Sequence, residues 1–161
     1  MLAILYTLCY IKHKVLLTIK YGGGITMEIQ GLMLLLLVWL SDQTELNTNV
    51  TLPKVEFVSP ATIQKISGLK KVDVAAVYDE EIKTMYFKDN FDPKNIIDRG
   101  YLLHELYHHL QFENKAWYRD CTAEYERGAY HLTNIWFKNH GLPEPYSSLD
   151  IMIWSTCSEK D

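Results

Sequence analysis

The chain has 161 residues, 48% of them hydrophobic and 22% charged, with a formal net charge of −4. Such a length and composition suit one globular domain with a real core. The slight acidity provides no basic field for nucleic acid, and neither an internal repeat nor a glycine-rich phosphate loop is visible.

Residues 1–26 read as foreign to the fold. They are apolar and basic, and end in Gly22, Gly23 and Gly24 just ahead of Met27. Glycine codons begin GG, so these glycines would spell a purine-rich ribosome-binding stretch, and translation is expected to start at Met27; the alternatives are a membrane anchor or a poor signal peptide. Residues 27–41 carry an apolar run, Gly31 to Leu40, which has the length of a signal-peptide core and falls short of the roughly 20 residues that span a bilayer. Export to the periplasm or beyond is expected, with membrane contact only through this segment if it is retained. Against export, no Lys or Arg lies between Met27 and the run, and Trp39 disturbs the cleavage pattern; a buried core element is the other reading. Residues 42–51 read as a polar linker, which places the folded domain at 52–161.

Within that domain, Ser59 and Pro60 are expected to cap a short helix carrying Ile63 and Ile66. Val72–Tyr78 and Ile82–Phe87, separated by Asp79, Glu80 and Glu81, predict a hairpin. After the Asp92–Pro93 turn, Ile96, Ile97, Leu102, Leu103, Leu106 and Leu110 keep mostly to three- and four-residue spacing, as an amphipathic helix requires. That helix carries HELYH. Residues four apart lie on one face, so His104 and His108 offer two imidazoles to a single metal ion, with Glu105 about 100° around the helix and able to reach a water on that ion. A surface helix with two incidental histidines is the bland alternative.

Catalytic zinc usually takes three protein ligands, and a Glu on a following helix is a known source of the third. From Cys121 to Gly141 an apolar stripe of Tyr125, Ala129, Leu132 and Trp136 predicts such a helix, with Gly141 as its stop. Glu124 and Glu126 point about 200° apart on it, so only one can face the metal. Glu126 is preferred because Ala129 and Thr133 share its face and let the helices approach; Glu124 shares its face with Arg127 and Gly128. If Cys9 is not translated, Cys121 and Cys157 are an even pair, expected to be disulfide-bonded in an exported domain. Free thiols, or Cys157 as a zinc ligand, are the rivals. Leu149, Ile151, Met152, Ile153 and Trp154 are expected to pack back on the second helix. His13 and His140 receive no role.

HELYHHLQ followed by EYERGAY resembles the small gluzincins, zinc peptidases with HExxH on one helix and a Glu on the next. More closely it is similar to a group of small exported bacterial proteins of unknown function with HELVHHLQ-like and EREAY-like helices. The likeness covers Val55 to Cys157, and its specific part is Leu103 to Tyr130. It implies Zn2+ on His104, His108 and Glu126, with Glu105 as general base acting on a peptide or protein substrate. The edge strand that pairs with substrate in such peptidases would be Ile82–Lys88, placing Ile82, Thr84 and Tyr86 at the peptide; a purely structural strand is the alternative. Gly128 departs from the helix-forming residue of EREAY, and Tyr130 from the Asp of ExxxD motifs, so a group orienting His104 is left unassigned. Arg127, Tyr130 and His131 are weaker candidates for stabilising an oxyanion, with packing or surface roles as the alternative. The expected whole is a minimal zincin-like α+β domain. Its expected activity is peptide hydrolysis; a hydrolase of a non-peptide amide and a non-catalytic zinc-stabilised binding module are the alternatives.

Overall fold

The computed structural model describes residues 25–69, 73–116 and 123–157. It has an α+β fold in which one long helix, α3 (Ile96–Glu113), is the hub. Its apolar positions Leu102, Leu103, Leu106 and Leu110 are fully buried, because other elements cover it on several sides: α1 (Ile25–Ser41), α4 (Ala123–Asn139) and a small sheet. Asn95 caps α3, its side chain accepting from the Ile97 N–H at 2.8 Å, while Asp92 and Pro93 form the preceding turn.

The apolar run Gly31 to Leu40 lies in a helix that packs into the core. Ile29, Met33, Leu36, Leu37 and Leu40 of α1 are buried against the rest of the domain, and Trp39 meets Trp136 of α4 edge to face at 5.6 Å. Among the described residues, α1 thus shares one core with the elements after Leu52. Nor do residues 42–51 hang free. Asn114, at the end of α3, accepts from the Asn47 N–H at 2.7 Å and donates to the Asn47 carbonyl at 3.0 Å, and the His109 ring donates to the Thr51 carbonyl at 2.8 Å. No described helix is long and apolar enough to cross a membrane. The expected start at Met27 concerns residues 1–26, of which 1–24 lie outside the described residues.

The sheet has three strands, β1 (Lys54–Val58), β2 (Ala76–Asp79) and β3 (Thr84–Lys88), in the order β1-β3-β2. β2 and β3 form the expected antiparallel hairpin, with Tyr78 opposite Met85, closed by a turn in which Lys83 takes a φ of 51°. β1, which local pattern did not reveal, runs parallel to β3. This corrects the assignment of Ile82–Lys88 as the edge strand: β3 is paired on both sides, so it cannot accept a peptide. Thr84 and Tyr86 lie in that central strand and Ile82 in the exposed turn. Between β1 and β2, α2 (Pro60–Ser67) has Ser59 as N-cap and ends at Gly68, whose φ of 69° is the left-handed conformation of a helix stop.

Two glycines bring α3 and α4 together. A Cβ on Gly128 would come within 2.8 Å of the Tyr107 ring, and one on Gly100 would run into Phe137. Gly128 weakens an isolated helix by about 1 kcal/mol, but here it makes room for the aromatic ring inside HELYH. The tail forms α5 (Ser148–Trp154), started by a capping box between Ser147 and Asp150. Ile151 is half-buried and Ser155 buried, and Arg127 of α4 donates from Nε to Ser155 Oγ at 3.2 Å. Of the other expected packing residues, Trp154 sets its ring 5.9 Å from that of Tyr130 on α4, while Leu149, Met152 and Ile153 keep more than half of their surface exposed. Cys157 is disulfide-bonded; its expected partner Cys121 lies outside the described residues.

Candidate metal centre

One turn of α3 separates His104 from His108, and their Nε2 atoms stand 3.1 Å apart. Glu126 reaches in from α4, with Oε2 at 3.1 Å from His104 Nε2 and Oε1 at 3.4 Å from His108 Nε2. Among the described residues, these three are the His, Cys, Asp and Glu side chains grouped so that one ion could touch them all. Glu124 is outside the cluster, and the disulfide of Cys157 removes it as a thiolate ligand.

Hydrogen bonds on the far side of each ring decide what faces the centre. The Thr133 hydroxyl gives its one proton to the Ala129 carbonyl at 2.8 Å, so toward His104 Nδ1, at 3.3 Å, it can only accept. His104 therefore carries its proton on Nδ1. Gln111 does the same for His108. Its Nε2 donates to the Tyr125 carbonyl at 3.2 Å, which turns its Oε1 toward His108 Nδ1 at 2.9 Å. In the neutral state both Nε2 lone pairs then point at each other, beside a carboxylate. Such an arrangement is repulsive unless a cation lies between. Ligands placed tetrahedrally at about 2.0–2.1 Å around zinc are about 3.3 Å from one another; the two imidazole nitrogens stand 3.1 Å apart, and each has one oxygen of the Glu126 carboxylate at 3.1 or 3.4 Å, so the group is compact enough for one ion. The donor set fits zinc.

The metal-free charge pattern tells the same story. Burial would lower the His108 pKa, but the Glu126 carboxylate outweighs it and raises the pKa to about 9. Glu126 is held well below the usual carboxylate range, because its bonds to both histidines outweigh its own burial. A proton on His108 thus supplies a cation to this cluster.

Glu105 lies beside the ligands and not among them. Its carboxyl is buried, which raises its pKa; the histidines and the Tyr78 backbone N–H, which donates to it, pull the other way. That N–H belongs to β2, a terminal strand of the sheet, so Glu105 sits between the metal ligands and the strand edge. His109, the third histidine of the run, is structural. It donates from Nε2 to Thr51 O and accepts at Nδ1 from the Tyr78 hydroxyl at 2.9 Å, and burial lowers its pKa.

Of the weaker oxyanion candidates, Arg127 is engaged with Ser155, His131 is exposed, and the Tyr130 phenol is hydrogen-bonded to Glu126. His140 closes α4 by donating from Nδ1 to the Trp136 carbonyl at 2.7 Å; His13 lies outside the described residues. Gln111 and Thr133 were missed as supporting groups, yet their spacing held the signal: Gln111 is three residues past His108, and Thr133 seven past Glu126, each on the same helix face. Tyr146, whose ring lies 6.4 Å from that of His104, had no local signal.

Two histidines, one buried and one half-buried, and a half-buried carboxylate on adjacent helices, with a buried carboxyl beside them, define a candidate metal centre on an α+β domain. Residues 26–161 match the family described as a domain of unknown function (DUF6647), and the chain belongs to that family. No curated protein and no solved structure matches the chain significantly.

Proposed function

We propose that the protein is a zinc-dependent peptidase. The observation that carries this reading is the convergence of His104 Nε2, His108 Nε2 and the Glu126 carboxylate within reach of one ion, with the buried carboxyl of Glu105 beside them. Bound zinc supplies Lewis acidity, which acidifies a water and polarises a carbonyl. Thr133 and Gln111 hold the imidazoles in the tautomer that can bind it. Glu105 accepts the proton of the attacking water and hands it to the leaving amine nitrogen; burial raises its pKa and so suits it to hold a proton between the two steps. The Tyr78 N–H steadies that carboxylate while it is charged. An extended peptide would lie along the outer edge of β2, since β3 is fully paired.

The test is Glu105→Gln in zinc-loaded protein, assayed by a mixed-peptide digest read by mass spectrometry with a chelator control. Zinc content and melting temperature should stay near wild type while cleavage falls by about 10² or more. Cleavage at full rate in this variant would sink the mechanism. Absence of cleavage by both forms, with His104→Ala loosening the fold, is the pattern of a zinc-stabilised binding module.

A further inference from the structure

The loop between α4 and α5 contains Pro143 and Pro145, each of which fixes a backbone φ and stiffens the segment leading to Tyr146. A buried side chain of α4 then grips that residue. Asn134, 7% exposed, accepts from the Tyr146 N–H at 3.1 Å and donates to the Tyr146 carbonyl at 2.7 Å. A buried amide costs free energy unless it is hydrogen-bonded, and this one spends both its oxygen and its nitrogen on the backbone of a single residue.

The grip places the Tyr146 ring over the site, 4.4 Å from the Tyr130 ring and 6.4 Å from that of His104. Its phenol senses the charges of Glu105 and Glu126. The three tyrosines around the centre differ in what their hydroxyls do. Tyr78 is bonded to His109 and Tyr130 to Glu126, whereas the Tyr146 hydroxyl has no hydrogen-bond partner among the described residues. An uncommitted donor, held from behind with its ring beside those of His104 and Tyr130, is placed to meet an oxygen of a ligand.

We propose that Tyr146 is a catalytic residue of the hydrolysis put forward above, its phenol donating a hydrogen bond to the substrate carbonyl oxygen as that oxygen gains negative charge, and that Asn134 is the residue that positions it. The inference rests on the peptidase reading. No bond to Tyr146 is made or broken. The carbonyl oxygen gains charge as water adds, the phenol shares its proton with it most strongly in the tetrahedral state, and the bond relaxes when the carbon–nitrogen bond breaks and Glu105 protonates the amine. Burial, then the nearby Tyr101 and the two carboxylates, push the Tyr146 pKa up, so the phenol remains a donor.

Tyr146→Phe keeps the ring and removes only the hydroxyl. In zinc-loaded protein it should leave zinc content and melting temperature unchanged and lower kcat by about 10²–10³, with KM moving by less than about threefold. A readout independent of turnover is calorimetric binding of N-phosphoryl-Leu-Phe amide, whose tetrahedral anion mimics the reacting centre. The variant should bind it about 10- to 100-fold more weakly. Unchanged kcat together with unchanged binding of this probe would overturn the role of Tyr146 and leave the peptidase reading standing. A zinc-loaded wild type that neither cuts peptides nor binds the probe would overturn both. For Asn134, Asn134→Ala, or Asn134→Asp should the former not fold, should slow the wild type but have no further effect in the Tyr146→Phe background. An equal slowing in both backgrounds would show that Asn134 does not act through Tyr146.

Discussion

If the site takes zinc as proposed, the metal and a proton compete for the same place, and the competition has a calculable pH dependence. In the metal-free protein His108 titrates at about 9, because the Glu126 carboxylate overcomes the effect of burial. Below that pH the proton must leave before His108 can serve as a ligand. Apparent zinc affinity should therefore rise about tenfold per pH unit between pH 6 and 8 and level off near 9, which places it about 100-fold below its plateau at pH 7. The linked stability has the opposite sign. A folded pKa above the unfolded value of about 6.5 stabilises the metal-free fold fully below that value, and this contribution disappears as pH rises through 9. A shift of about 2.5 units corresponds to about 3 kcal/mol. The assay is chelator competition at several pH values, with calorimetry in buffers of different ionisation enthalpy to count the released proton. Glu126→Gln removes the charge that raises His108, so it should flatten the dependence above pH 7 as well as weaken binding; Glu124→Gln should change neither. A zinc affinity independent of pH from 6 to 8 in the wild type would refute the reasoning.

Other outcomes follow from the packing and from the groups behind the ligands. Thr133→Val removes the acceptor that fixes the His104 tautomer and should lower zinc affinity about 10- to 100-fold, while Thr133→Ser, which keeps the hydroxyl, should restore most of it; equal affinities for the two variants would count against the role. Leu36→Ala, at a position of α1 that is 2% exposed, should cost about 3 kcal/mol in urea unfolding, and a loss under about 1 kcal/mol would mean that α1 is not part of the stable core.

Much of the site could be read from local pattern, because the α-helix has a fixed period. Four-residue spacing by itself put His104 and His108 on one face of α3, and the small residues Ala129 and Thr133 picked out the face of α4 carrying Glu126, which the structure groups with the histidines while leaving Glu124 outside. The hairpin and the stop at Gly141 were equally local, since turn chemistry acts over a few residues. Tertiary structure decided the rest, because each of those features depends on a partner far away in the chain. An apolar run such as Gly31 to Leu40 states that it must leave water, but whether it does so in a membrane or against α3 is written in the surface that receives it. Strand order is non-local in the same way: β1 pairs with β3 across about thirty residues, which turned a presumed edge into the centre of the sheet. Gly128, which local propensity counts as a weakness, is required by the Tyr107 ring of another helix. Tyr146 and Asn134 show no periodicity that would pair them, and only the fold of the loop onto α4 brings the phenol to the histidines.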